Sequence, residues 1–115
     1  MTAAGSPPVL RISAANQRFS AARFRFKASC KPRCDFRYDV AVQAKGVHPY
    51  SQSGEITGVG PTRTLTARLP KSVSRDIARA LARHRTVRVK LTARPQDVDG
   101  EAIGTPTSLR VRLTR

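Results

Sequence analysis

The sequence predicts an all-β domain, two antiparallel sheets packed face to face, with one short helix set between strands. Three observations carry this. Apolar residues alternate with polar or charged ones in at least four separate segments, the mark of strands with one wet face. Pro, Gly and Ser clusters punctuate those segments at short intervals. One stretch only, about residues 73–84, has helical spacing. One wet face per sheet favours packed antiparallel sheets over a parallel α/β arrangement.

Each element follows from its residues. Residues 1–7, rich in Ala, Gly, Ser and Pro, read as a flexible leader or linker, and 8–115 as one domain. Leu10 and Ile12 suggest a short first strand. Ala22, Phe24, Phe26, Ala28 and Cys30 alternate with Arg23, Arg25 and Lys27. After Lys31-Pro32-Arg33, the residues Cys34, Phe36, Tyr38, Val40, Val42 and Ala44 resume an inward register. Gly46 to Ser53 reads as turn material, and Gly54 to Val59 as a weak edge strand. Leu65, Ala67 and Leu69 give another half-buried strand that Pro70 ends. Ser72 or Ser74 is expected to cap a helix with Asp76 near its positive end. Val73, Ile77, Ala80, Leu81 and His84 form its apolar stripe, centred on Leu81, while Arg75, Arg79 and Arg83 stay wet. Val87, Val89, Leu91 and Ala93 form the next strand. A polar segment runs from Arg94 to Pro106, and Leu109, Val111 and Leu113 close the chain. Six or seven strands in about a hundred residues is the immunoglobulin-like architecture.

The chain has 115 residues, which fits one domain. It is 39% hydrophobic and 5% aromatic, without Trp, so Val, Leu, Ile and Ala must fill most of the core. The formal net charge is +15 and the pI is about 11.6. Such a surface attracts polyanions: nucleic acid, anionic lipid headgroups or acidic cell-wall polymers. Arg greatly outnumbers Lys, which high-GC coding also produces without any selection for binding. No segment is apolar for long enough to span a bilayer. Met1-Thr-Ala-Ala-Gly-Ser-Pro-Pro has no apolar core of an export signal. The chain is therefore intracellular, or begins at a wrong start, or is a piece of a longer exported protein.

Cys30 and Cys34 fall on the inward register at facing ends of a short loop. A disulfide clamp is the first reading, and a pair of reduced buried thiols the second. Redox chemistry usually has two residues between the cysteines and a helix N-terminus to lower a thiol pKa, and neither is present. Zinc would need help from His48 and His84, both far away in sequence. Asp97-Val98-Asp99-Gly100-Glu101 resembles a fragment of a calcium loop, with Asp97 and Asp99 as ligands. The flanking strands and the Asp-Gly pair favour a hairpin turn. No nucleophile elbow, metalloprotease motif or phosphate-binding Gly loop occurs, and no two of the seven acidic residues suggest paired acid and base work. The expectation is a protein that is not an enzyme and uses no cofactor. Phe24 and Phe26 share the register of Ala22 and Ala28, which reads as core and not as a stacking platform for bases.

The succession of a strand, Cys-x-x-x-Cys, a strand, Leu65-Thr66-Ala67-Arg68-Leu69-Pro70, a short Arg/Ala/Leu helix, Val87-Arg88-Val89-Lys90-Leu91-Thr92-Ala93, an Asp-x-x-Gly turn and Leu109-Arg110-Val111-Arg112-Leu113 resembles the immunoglobulin-like modules of exported and surface proteins from high-GC Gram-positive bacteria. The resemblance covers about residues 9–115. Asp97 and Gly100 match the family's final turn, Glu101 stands where it has Asn, and the loop through Ile103-Gly104-Thr105-Pro106 is longer. The resemblance implies a spacer or adhesion module in a longer chain, in an oxidising compartment, with an unknown protein or cell-wall polymer as partner. In that architecture the third, sixth and seventh strands share one sheet. Their outward cations, Arg37, Arg88, Lys90, Arg110 and Arg112, are the candidate polyanion contacts, diluted by Asp35 and Asp39. Arg11, Arg23, Arg25 and Lys27 put charge on the other sheet as well. The expected function is a non-catalytic extracellular module with weak, non-specific polyanion binding. An intracellular basic nucleic-acid-binding protein is the alternative.

Overall fold

A computed structural model describes residues 9–19, 22–97 and 99–115. The expected leader, 1–7, lies outside the described residues, as does Val98 of the acidic turn. The architecture is mostly β with one short helix: β1 (Val9–Ser13), β2 (Gln17–Arg18), β3 (Arg23–Lys31), β4 (Cys34–Ala44), β5 (Tyr50–Val59), β6 (Arg63–Arg68), α1 (Lys71–Ala82), β7 (Val87–Gln96) and β8 (Thr107–Thr114). Strands β1-β3-β6 form one sheet and β2-β8-β7-β4-β5 the other. All pairings are antiparallel except that of β2 with β8.

The alternation seen in the sequence is what builds the core. Phe24, Phe26, Ala28, Leu65 and Ala67 come from the three-stranded sheet. Phe36, Val40, Val42, Val87, Val89, Leu91, Val111 and Leu113 come from the five-stranded one, and all join one apolar cluster. Each fully buried Phe, Leu or Val contributes roughly 1.5–3 kcal/mol relative to exposure. The aromatic residues touch: the Phe26 and Tyr38 rings lie 5.3 Å apart and those of Phe36 and Tyr38 6.3 Å.

Several elements depart from the sequence reading. The stretch expected as a turn, Gly46 to Ser53, instead opens at Tyr50 into β5, 10 residues long. Its inward side has Gln52 and Gly54 where apolar residues would announce a strand. The ladder to β4 satisfies its backbone, and the Gln52 amide donates to the Arg68 carbonyl, 2.9 Å. Strand β7 likewise runs into the expected polar segment as far as Gln96. Pro95 is tolerated there because β8 pairs with β7 only as far as Ala93.

Helix α1 has no side-chain cap. Its N-cap is Pro70, so Ser72 and Ser74 already lie inside the helix, and no acidic residue stands in the first turn. The entry is set instead by buried Leu69, whose N–H donates to the Ala22 carbonyl, 2.8 Å. Val73, Ile77, Ala80 and Leu81 are buried as expected. His84 is not: it lies past the helix at φ 59. The His84 N–H reaches the Leu81 carbonyl and the Arg85 N–H that of Ala80. This pattern ends a helix on a left-handed residue, usually Gly.

A short crossover brings the chain from one sheet to the other. Here the Gln17 side chain stands in for a strand backbone: its amide donates to the Arg25 carbonyl, 2.8 Å, and its oxygen accepts from the Arg25 N–H, 3.0 Å.

Cys30 and Cys34 are bonded to each other. Both are buried, and the bond ties the end of β3 to the start of β4, hence one sheet to the other. For a closure of 4 positions in sequence, chain entropy gives about 2 kcal/mol of stabilisation. Reduction, or the double variant Cys30→Ser/Cys34→Ser, is expected to lower the thermal midpoint by roughly 8 °C for a domain this size. Calorimetry with and without reductant checks it. An unchanged midpoint would mean that the strands are held without the clamp.

Candidate polyanion-contact face

The outer face of the five-stranded sheet is built by strict alternation on β4, β7 and β8. Inward Val87, Val89, Leu91, Val111 and Leu113 are buried, which forces Arg88, Lys90, Arg110 and Arg112 outward. The register then decides which cations meet. Arg88 stands directly opposite Arg112, and Lys90 directly opposite Arg110. Neighbouring strands are about 4.8 Å apart and alternate residues along a strand about 6.7 Å. Four cationic side chains thus spring from one small quadrilateral of backbone.

Of the five residues proposed from sequence, the fold brings these four together and separates Arg37. Its cross-strand neighbour is Glu55 on one side and Arg94 on the other. Its guanidinium also donates to the Ser53 hydroxyl, 3.4 Å. Asp39, opposite Thr92 and Ser53, lies between Arg37 and the cluster. The sheet is therefore graded: β7 and β8 carry cations, and the acids Asp39 and Glu55 lie on β4 and β5. Arg94 was missed in the sequence because Pro95 masks the continuation of β7. The alternation Arg88, Lys90, Thr92, Arg94 was the available signal. Arg37, Asp39, Thr92, Arg94 and Pro106 line a recess of about 250 Å³ beside the cluster.

Asp35 does not simply dilute the face. Its carboxylate accepts from the Gly58 N–H, 2.8 Å, while Arg33 Nε donates to the Gly58 carbonyl, 2.7 Å. Gly58, at φ 66, occupies the bulge where β5 has one residue more than β4. The pair holds that bulge. Asp97 also acts locally on the backbone, its carboxylate accepting from the N–H groups of Asp99 and Glu101, each 2.9 Å. That is how an aspartate forms a turn.

The three-stranded sheet also carries charge, in another arrangement. Arg25 and Lys27 stand opposite Thr66 and Thr64, and Arg11 opposite Ser29. Only Arg23 and Arg68 oppose each other there, at the sheet end. Two larger open recesses lie along β1 and β3. One, of about 610 Å³, is lined by residues including Val9, Arg11, Lys31 and Pro61. The other, of about 560 Å³, is lined by residues including Ser13, Gln17, Arg25 and Thr64. No group of three or more His, Cys, Asp or Glu suited to a metal ion occurs among the described residues. No helix among them is long and apolar enough to cross a membrane. No protein-family model matches the chain, and comparison with curated proteins finds no match.

Proposed function

We propose that this chain is a non-catalytic, immunoglobulin-like sandwich module of an exported or surface protein, an adhesion or spacer unit whose β7–β8 face holds polyanions weakly. One observation carries the reading: two like-charged pairs directly opposed in adjacent strands, Arg88 with Arg112 and Lys90 with Arg110. Like charges directly opposite are destabilising, by a few tenths of a kcal/mol per pair. A bound polyanion reverses that sign, so a cost to the free domain becomes a source of affinity. The disulfide agrees with an oxidising compartment. Charge on both sheets favours contact with the backbone of a polymer over recognition of a sequence.

The test is to replace all four residues by Ala and titrate duplex DNAs of different sequence, a heparin-like polymer and an anionic cell-wall polymer at several salt concentrations. Binding by the unsubstituted chain is expected to be weak and to fall steeply with salt. On DNA the quadruple variant is expected to lose tenfold or more in affinity and up to about 3.6 units of salt slope, at roughly 0.9 per phosphate contact. It is expected to unfold no more easily than the parent. Equal polymer binding by parent and variant would remove this face from the proposal. Tight binding at physiological salt, with a hundredfold or greater preference for one DNA sequence, would favour the intracellular nucleic-acid-binding alternative.

A further inference from the structure

We propose that β5 is the surface through which two copies of this chain associate, edge to edge and antiparallel, joining their five-stranded sheets into one. Strand β5 is an outer strand of its sheet and, among the described residues, pairs only with β4. Among the described residues, no backbone–backbone hydrogen bond beyond the β4 ladder involves Tyr50–Val59. Half of its amide and carbonyl groups therefore face outward, a template for another strand.

Exposed edges are normally defended by Lys, Pro, shortness or a bulge. Of these, β5 has only the bulge at Gly58, near one end. From Tyr50 to Ile56 the strand is regular, about 20 Å at roughly 3.4 Å per residue. Charge singles it out further. The chain has 22 Lys and Arg, and every strand but β5 carries at least one, whereas β5 has Glu55 alone. The other outer strands, β1, β2 and β6, present Arg11, Arg18, and Arg63 with Arg68. For two copies of so basic a chain, β5 is the edge of least mutual repulsion.

The occupant is a second copy because the strand suits itself. Antiparallel pairing centred on Gly54 places Glu55 opposite Ser53 of the other copy, and Ser51 opposite its Thr57. No like charges meet, and hydroxyl-bearing side chains line the join. A two-fold axis normal to the sheet keeps both outer faces on one side. The β7–β8 cation clusters of the two copies would then face the same way. Dimerisation does not rest on the polyanion reading, although it would make such binding bivalent. A single strand pair buries less than the roughly 1,600 Å² of a standard interface, so the dimer is weak.

The experiment is sedimentation velocity from about 10 μM to about 1 mM, a range that brackets weak association, with amide chemical-shift mapping over the same series. The expected result is a sedimentation coefficient that rises with concentration and shifts centred on Tyr50 to Ile56. Ser51→Lys/Ser53→Lys is expected to weaken association at least tenfold. Ser13→Lys/Ser108→Lys, with the same added charge elsewhere, is expected to leave it within twofold. No rise at the highest concentration, shifts centred on β1, β6 or β8, or equal weakening by both variants would overturn the proposal. The shift map is read on the unsubstituted chain, so it decides even if the edge variant fails to fold.

Discussion

Ile77→Asp is expected to cost at least about 4 kcal/mol, a large part of the roughly 5–15 kcal/mol that a domain has. Ile77 is fully buried, and α1 packs nearest β7. Truncating such a residue costs about 2–5 kcal/mol by itself. A carboxylate there must also stay charged without a partner, take up a proton, or drag the helix into water. The helix is 12 residues long and has no side-chain cap, so nothing local holds it once its face is lost. Leu81→Asp is expected to follow closely, since Leu81 is buried as well. Arg79→Asp, on the exposed side, is expected to cost under about 1 kcal/mol. Urea titrations of the three variants check this. Equal losses from Ile77→Asp and Arg79→Asp would mean that the helix packs by a different face.

Gly54→Val is expected to destabilise by about 2–3 kcal/mol, the cost of overpacking a filled site. Strand propensity alone argues the opposite, because Val favours strands and Gly weakens them. Packing decides. Gly54 is the cross-strand partner of Tyr38, and a Cβ there would come within 2.5 Å of Tyr38 Cζ and Oη. The ring cannot yield freely, because it also packs against Phe26 and Phe36. Swinging it out gives up aromatic contacts of about 0.5–1.5 kcal/mol each. Thermal unfolding of Gly54→Val in the parent and in a Tyr38→Leu background separates the causes. A coupling of at least about 1 kcal/mol is expected between residues in contact. An equal cost in both backgrounds would place the penalty in the backbone and not in the ring.

Much of the fold was legible because its strands have one wet face. Phe24, Phe26, Phe36, Val89, Leu91, Val111 and Leu113 announce the core by period alone, and α1 by its spacing. Cys30 and Cys34 were readable as a clamp because both lie on the inward register a few residues apart. Strand β5 was only half legible. A strand whose inward positions include Gln52 and Gly54 has no apolar rhythm to betray it, and its existence rests on the ladder that β4 offers. Residue type likewise misled at the helix ends. Ser72 and Ser74 are good caps in isolation, but buried Leu69 and the extended backbone of Pro70 set the entry, and His84 serves as a left-handed terminator.

The candidate site divides in the same way. The sequence by itself determined that Arg88, Lys90, Arg110 and Arg112 point outward, because their neighbours must be buried and side chains alternate along a strand. The tertiary structure alone decided that Arg88 stands opposite Arg112, Lys90 opposite Arg110, and Arg37 opposite Glu55. The physical reason is that register belongs to a pair of strands. Alternation says which face a side chain takes. Only the hydrogen-bonded ladder says what stands beside it, and a slip of two residues would keep every face while changing every partner.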